Sequence, residues 1–277
     1  MDLTIHSTFS PNSKANIDKI LRTAQKSGLQ CISITDKNTA ICHMATKLPE
    51  NKKLFSGKIV PGAEFEANMD NKKVNLLCYG FDVMRMQQWI NENYEKSEKK
   101  QTKTFNALMQ ICKRLGIEID NNMLWNPKLE YASQYFLRNI KLNPINRKFF
   151  AKNRFPATNT EFYDMITKDK NSPFFIDRTL LLPNADEVVN VVHQNKGLVF
   201  LAAPLSFSDN ADYLLKEIKQ KHIDGVEVYS PDYTKNEEAL LEKFCFKNGL
   251  LKTGGSRFDA TRNHSKMINL KGKLFLG

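Results

Sequence analysis

His6, the Asp36-Lys37 pair, Glu64 and the Arg257-Phe258-Asp259 run each follow a short, largely apolar stretch. A side chain just past the end of a strand is held by the strand yet reaches solvent, so barrels and parallel sheets collect their chemistry there. His6 is a candidate general acid or base; the alternative role for a lone strand-end histidine is hydrogen-bonded scaffold. Glu64 and Asp259 bring oxygen donors suited to a single cation, or they neutralise Lys37 and Arg257, which is the expected arrangement. Gly254-Gly255-Ser256 can present N–H groups to a phosphate, or can be a tight turn with no ligand. Ser7 and the five cysteines lack a recognisable base arrangement, which argues against a serine or thiol nucleophile. Neither a Gly-x-x-x-x-Gly-Lys-Ser/Thr loop nor a Gly-x-Gly-x-x-Gly turn occurs, so a nucleoside triphosphatase or a dinucleotide enzyme is not indicated.

A second set of binding-type residues lies between Lys128 and Arg154. Seven cations (Lys128, Arg138, Lys141, Arg147, Lys148, Lys152, Arg154) stand against one acid, Glu130, interleaved with Tyr131, Tyr135, Phe136, Phe149, Phe150 and nearby Phe155. Such a mixture can track a single-stranded nucleic acid or close over a small phosphate ligand. The same aromatics can form the core of a helical segment, which is the expected role for most of them.

These candidates need elements to position them. Ile17, Ile20, Leu21 and Ala24 recur at helical spacing, with Asn12, Ser13 or Asn16 to cap the start and Gly28 to stop it. Cys31–Ile34 is a short apolar run without clean alternation, as expected of a strand covered on both faces. Ile59–Glu66 and Val74–Tyr79 read as further strands. From about Arg85 to Phe175 the chain turns charged and helix-favouring, with Phe105, Leu108, Met109, Cys112 and Leu115 on one helical face. Alternation then returns with a helix start at Pro183–Glu187 and strands at Leu198–Ala202, Gly225–Tyr229 and Leu250–Thr253, separated by helices. This pattern implies an α/β protein with a parallel sheet or barrel, and leaves the choice between the two open.

The opening Asp2-Leu3-Thr4-Ile5-His6-Ser7-Thr8-Phe9-Ser10 resembles the D-L-H-x-H-S-x-x-S-D-G start of the PHP (polymerase and histidinol phosphatase) family. Ile34-Thr35-Asp36-Lys37-Asn38-Thr39 is similar to its I-T-D-H-x-T run. Further matches, in order, are Pro61-Gly62-Ala63-Glu64, Leu201-Ala202-Ala203-Pro204, Asp224-Gly225-Val226-Glu227-Val228-Tyr229 and Gly254-Gly255-Ser256-Arg257-Phe258-Asp259. The resemblance implies a distorted (β/α)7 barrel from residues 1–84 and 176–277, with a helical insertion at 85–175 placed as in the branch that hydrolyses nucleoside bisphosphates and similar small phosphate esters. Active members of the family gather two or three metal ions at the strand ends to polarise a phosphoryl group and generate hydroxide. At the matching positions this chain has Thr4, Pro11, Lys37, Asn75, Ala203, Arg257 and Asp259, and keeps His6 and Glu64. Arg138 lies in the region where active relatives set an arginine against substrate phosphate. An ammonium about 4 Å from a divalent ion at an effective dielectric of about 20 costs about 8 kcal/mol, so Lys37 and Arg257 argue against metal more strongly than the missing histidines do.

The leading expectation is therefore a PHP-fold pseudoenzyme that holds neither metal nor other cofactor. It would bind a small phosphorylated or anionic ligand through Lys37 and Arg257, with Gly255, Ser256 and Arg138 contributing. One alternative is a divergent metal-dependent phosphoesterase using one ion or none, with His6 and Glu64 in acid and base roles. The other is a nucleic-acid-binding module built on the basic insertion. A net charge of +11 favours anionic partners of either kind. Unpaired cysteine spacing and the lack of an apolar leader or an 18-residue apolar run suggest a cytoplasmic protein with no membrane segment.

Overall fold

The computed structural model describes residues 1–11, 13–94, 98–120, 124–150, 156–261 and 266–270. The chain divides into two compact units, Met1–Ile90 with Pro183–Gly277, and Asn91–Leu182. The first unit is built on a seven-stranded sheet whose strands lie in sequence order. They are β1 (Asp2–Ile5), β2 (Cys31–Ile34), β3 (Lys58–Met69), β4 (Lys72–Tyr79), β5 (Leu198–Leu201), β6 (Gly225–Tyr229) and β7 (Leu251–Gly254). The sheet curls until the segment after β7 returns to β1, where Ile5 bridges Phe258 and the His6 N–H donates to the Phe258 carbonyl at 2.8 Å. The result is the distorted barrel that the motif order implies.

Strand direction departs from the all-parallel expectation. β1, β2 and β3 are parallel, as are β5, β6 and β7, but β4 runs antiparallel to both β3 and β5. The cause is local: β3 continues to Met69 and pairs back through Lys72, with only Asp70 (φ 52) and Asn71 (φ 61) between them. Two successive positive φ angles make a hairpin turn whose twist matches its strands, and Asp and Asn are among the residues that tolerate it.

Helices cover the sheet where the spacing predicts them. Ile17–Lys26 starts at Asn16, whose side chain accepts from the Lys19 N–H at 2.8 Å, and it buries Ile17, Ile20, Leu21 and Ala24. These pack with Ile5, Ile32, Ile34 and Phe258, so the first helix is fixed to the strands that carry His6 and Asp36. Ala185–Gln194 begins as expected, the Asn184 N–H donating to the Glu187 carboxylate at 3.0 Å. Lys235–Asn248 starts at Thr234 and stops at Gly249 (φ 64).

The second unit is helical. Glu98–Leu115, Ala132–Leu142 and Asn159–Thr167 enclose a core containing Leu108, Cys112, Phe136, Phe162, Ile166 and Phe174. Phe105 stacks on Trp125 with ring centres 4.3 Å apart. No helix among the described residues is long and apolar enough to cross a membrane.

Candidate functional site

The strand ends of the barrel gather His6, Asp36, Lys37, Glu64, Glu227 and Arg257. Asp36 is fully buried and accepts from the Ser7 N–H (2.6 Å), the Ser7 hydroxyl (2.5 Å) and the Ser10 hydroxyl (2.8 Å). It therefore shapes the turn after β1 more than it faces a ligand. Lys37 pairs through its backbone with Glu64, and the Glu64 N–H donates to the Asp36 carbonyl at 3.1 Å. Glu64 is fully buried; it accepts from Asn75 Nδ2 at 2.5 Å and lies 3.4 Å from His6 Nε2. Burial lowers the His6 pKa while the Glu64 carboxylate beside it pulls the other way. His6 Nδ1 and Glu64 Oε2 are buried without a hydrogen-bond partner.

Across the same face Arg257 Nη2 donates to Glu227 Oε2 at 2.6 Å and Arg257 Nε donates to Ser230 Oγ at 3.2 Å. Nε also lies 3.5 Å from Asp232 Oδ2. Glu227 is fully buried, and the Ala203 N–H donates to it at 3.1 Å. Burial pushes the Glu227 carboxyl up from its ordinary range, and Arg257 offsets part of that. For Arg257 burial opposes the charge, but Glu227 and then Glu64 outweigh it and raise the pKa, so the guanidinium is charged. Arg257 itself sits at φ 53, the left-handed region that non-glycine residues seldom occupy. Lys37 forms no ion pair with a carboxylate among the described residues.

The PHP-domain family profile matches residues 2–255. The chain belongs to the PHP-domain family. Among solved structures, a candidate metal-dependent phosphoesterase from Bifidobacterium adolescentis superposes with a TM-score of 0.57 at 17% identity, covering 99% of this chain and 91% of its own. An amidohydrolase from Chromobacterium violaceum, solved with bound sulfate and no metal, gives 0.59 at 12% identity, covering 98% and 93%. At these identities the likeness is one of fold. No curated protein matches the chain by sequence.

Several sequence expectations for this PHP barrel are revised by the geometry. Arg257 pairs with Glu227, and not with Glu64 or Asp259. The Asp259 carboxylate instead accepts from the Thr261 N–H (2.8 Å) and hydroxyl (2.6 Å), closing its own turn. Gly255 and Ser256 do not offer N–H groups to a ligand. The Gly255 N–H donates to the Tyr229 carbonyl at 3.0 Å and the Ser256 N–H to Asp2 Oδ1 at 2.9 Å, both buried. The glycine is there for closure, since a Cβ at Gly255 would stand 2.2 Å from the Thr4 nitrogen.

Arg138 belongs to the helical unit, where it makes a two-pronged pair with Glu130 (3.2 and 2.8 Å) and lies over the Tyr135 ring. Tyr135 and Phe136 are buried in that unit's core and so cannot stack on bases, which takes two of the six aromatics out of the nucleic-acid argument. Lys152, Arg154 and Phe155 lie outside the described residues, as does Asn12.

Sequence reading passed over two site residues. Glu227 was legible only as part of a strand motif; its all-buried strand Gly225–Tyr229 was the signal that this carboxylate needs a partner. His43 is buried under the strand ends, with Nε2 2.9 Å from the Ile34 carbonyl and 2.8 Å from that of Gly62, and burial lowers its pKa. No periodicity marks such a role.

The donor set does not fit a multinuclear metal centre. His6 Nε2 and Glu64 Oε2 are close enough to meet one cation, but Asp36 is taken up by Ser7 and Ser10 and Glu227 already holds a guanidinium. Among the described residues no group of three or more His, Cys, Asp or Glu side chains is arranged to hold a metal ion.

Proposed function

We propose that this PHP-domain protein has given up metal-dependent hydrolysis and binds a phosphorylated or otherwise anionic ligand at its barrel mouth. The observation that carries the reading is the Arg257 guanidinium, fixed by Glu227 at 2.6 Å on the face that holds His6 and Glu64. A guanidinium has five N–H donors, and among the described residues only Nε and Nη2 are engaged, which leaves Nη1 to meet a ligand. Lys37 supplies a compact second charge. Fixed cations attract a phosphoryl group without generating the hydroxide that cleaves it. Glu227 orients Arg257 and limits the net field, so specificity rests on the guanidinium edge more than on bulk charge.

Calorimetry with inorganic phosphate at low salt tests this. Lys37→Ala, which breaks no ion pair among the described residues, should weaken binding at least about tenfold, or about 1.4 kcal/mol. Arg257→Lys keeps a charge but loses the fork, and should weaken binding to a similar degree. Equal binding by wild type and Lys37→Ala, or none by wild type at millimolar phosphate, sinks the proposal.

One observation favours a second reading. His6 Nδ1 and Glu64 Oε2 are buried without hydrogen-bond partners, and Glu64 Oε2 lies 3.4 Å from the other ring nitrogen, His6 Nε2, as in an acid and base awaiting substrate. Phosphate-ester hydrolysis that survives purification and disappears in both His6→Ala and Glu64→Gln would favour that enzymatic role.

A further inference from the structure

The barrel mouth holds more acceptors than its own donors satisfy. Glu64 Oε2 and Glu227 Oε1 are buried without a hydrogen-bond partner among the described residues, and so is His6 Nδ1. Both glutamates are fully buried, Glu64 on β3 and Glu227 on β6. A carboxylate oxygen taken out of water costs free energy until a donor meets it, so each orphaned oxygen marks a place where a donor is missing. Neighbouring donors serve only the other oxygens: Asn75 Nδ2 donates to Glu64 Oε1 at 2.5 Å, and Arg257 Nη2 to Glu227 Oε2 at 2.6 Å. Lys37, half-buried on the same face, makes no ion pair with a carboxylate among the described residues.

The balance of charge points the same way. Asp36, Glu64 and Glu227 are fully buried beside the two cations Lys37 and Arg257, and Asp232 stands 3.5 Å from Arg257 Nε. His6 does not redress this at neutral pH, because burial, the strongest influence on it, lowers its pKa. Glu64 acts through space on both Arg257 and Glu227, so the carboxylates and cations share one field. A ligand that was anionic and nothing else would meet Arg257 and Lys37 but add to the negative excess, and would leave both orphaned oxygens unmet. An ammonium on the same ligand answers both deficits, since it brings three N–H donors and a positive charge. The mouth is not sealed: the Arg257 and His6 side chains keep 17% and 10% of their surface exposed.

We propose that the barrel mouth is a site for a small zwitterion of the α-amino acid class. Its carboxylate meets Arg257 Nη1 and Lys37, and its ammonium meets Glu64 Oε2 within the field of Glu227. The two charges of such a ligand cancel, so it enters without deepening the negative excess, and its opposite poles match the opposite sides of the mouth. This assignment rests on the reading of Arg257 and Lys37 as an anion site and names the class of ligand they serve.

Calorimetry on the full-length protein at low salt, with a chelator present so that no metal ion stands in for the ammonium, compares alanine with propionate. The two differ only in the α-ammonium. Wild type should bind alanine at least tenfold more tightly. Glu64→Gln, which keeps the shape and removes the charge, should bring alanine down to the level of propionate, and Lys37→Ala should weaken both. Circular dichroism matching that of wild type shows that each variant keeps its fold, and the comparison of the two ligands on wild type needs no variant at all. Inorganic phosphate, titrated alongside, separates the two ways of failing. Propionate bound as tightly as alanine, with phosphate still bound in a Lys37-dependent way, overturns the zwitterion and leaves the anion site standing. An alanine advantage that survives Glu64→Gln also overturns the assignment. Absence of binding by alanine, propionate and phosphate alike at millimolar concentration overturns both readings.

Discussion

Arg257 and Glu227 stabilise each other in a setting where neither tolerates solitude. Removing the guanidinium leaves a fully buried carboxylate with one backbone donor and a long tyrosine contact, so Arg257→Ala should cost about 3–5 kcal/mol in urea unfolding. The apolar pair Glu227→Leu/Arg257→Met should recover most of that loss, because it removes both charges together; a double variant as unstable as Arg257→Ala would refute this account. Asp2 gives a pH-dependent counterpart. Burial raises its pKa from 3.8 to about 6, against hydrogen bonds from Ser256 and Ile268 that lower it. A carboxyl that holds its proton more tightly when folded adds stability below about pH 4, and that contribution fades as pH rises through about 6. The difference corresponds to about 3 kcal/mol. Asp2→Asn should flatten the decline in unfolding free energy between pH 4 and 6.5, and an unchanged slope would show that another group causes it.

Barrel closure and the β3–β4 hairpin depend on backbone geometry at single positions. At Gly255 an added Cβ would meet backbone atoms of Thr4 at 2.2 and 2.8 Å, which cannot move without shifting β1 and the His6 it carries. Gly255→Ala should therefore destabilise by about 1–3 kcal/mol and lower the thermal midpoint. In the hairpin, Asn71 already adopts φ 61. Asn71→Gly meets that angle with no Cβ and should be neutral to mildly stabilising by thermal melt, within about 1 kcal/mol. A loss larger than that would mean the Asn71 side chain has a role beyond the turn.

Across the whole molecule the +11 net charge is spread over both units and is an excess that no internal ion pair removes, although several individual cations are paired. Lys73 pairs with Glu66, Arg138 with Glu130, Lys221 with Asp186 and Lys235 with Glu238. With Tyr135 and Phe136 buried and Tyr131 left exposed, nucleic acid should be retained mainly through phosphate contacts. Retention on a DNA column should fall steeply with salt and show no preference for single strands over duplex. A marked single-strand preference at 200 mM salt would restore the stacking role. The donor chemistry of the mouth leads to a further expectation: protein purified from cells carries less than one equivalent of Mn, Fe or Zn by elemental analysis. Two or more equivalents bound through His6 and Glu64 would reverse the reading of the site.

Element types and order were legible because they are local. Ile17, Ile20, Leu21 and Ala24 declare a helix by spacing, and Cys31–Ile34 declares a covered strand, whatever else the chain does. Motif order likewise identified the family, since the strand-end segments keep their sequence order. Pairing across the barrel was not legible. Glu227 and Arg257 are thirty residues apart, and nothing in either stretch selects the other over Glu64 or Asp259; only closure of the sheet brings them to 2.6 Å. The same closure takes the Gly255 and Ser256 amides out of reach of any ligand by burying them against Tyr229 and Asp2. Strand direction at β4 fell between the two cases: Asp70-Asn71 is a local signal, but the all-parallel pattern around it outweighed a two-residue turn. Sequence determines what a segment can become from its own residues. Which charges neutralise each other depends on distances between segments, and those exist only once the sheet has curled.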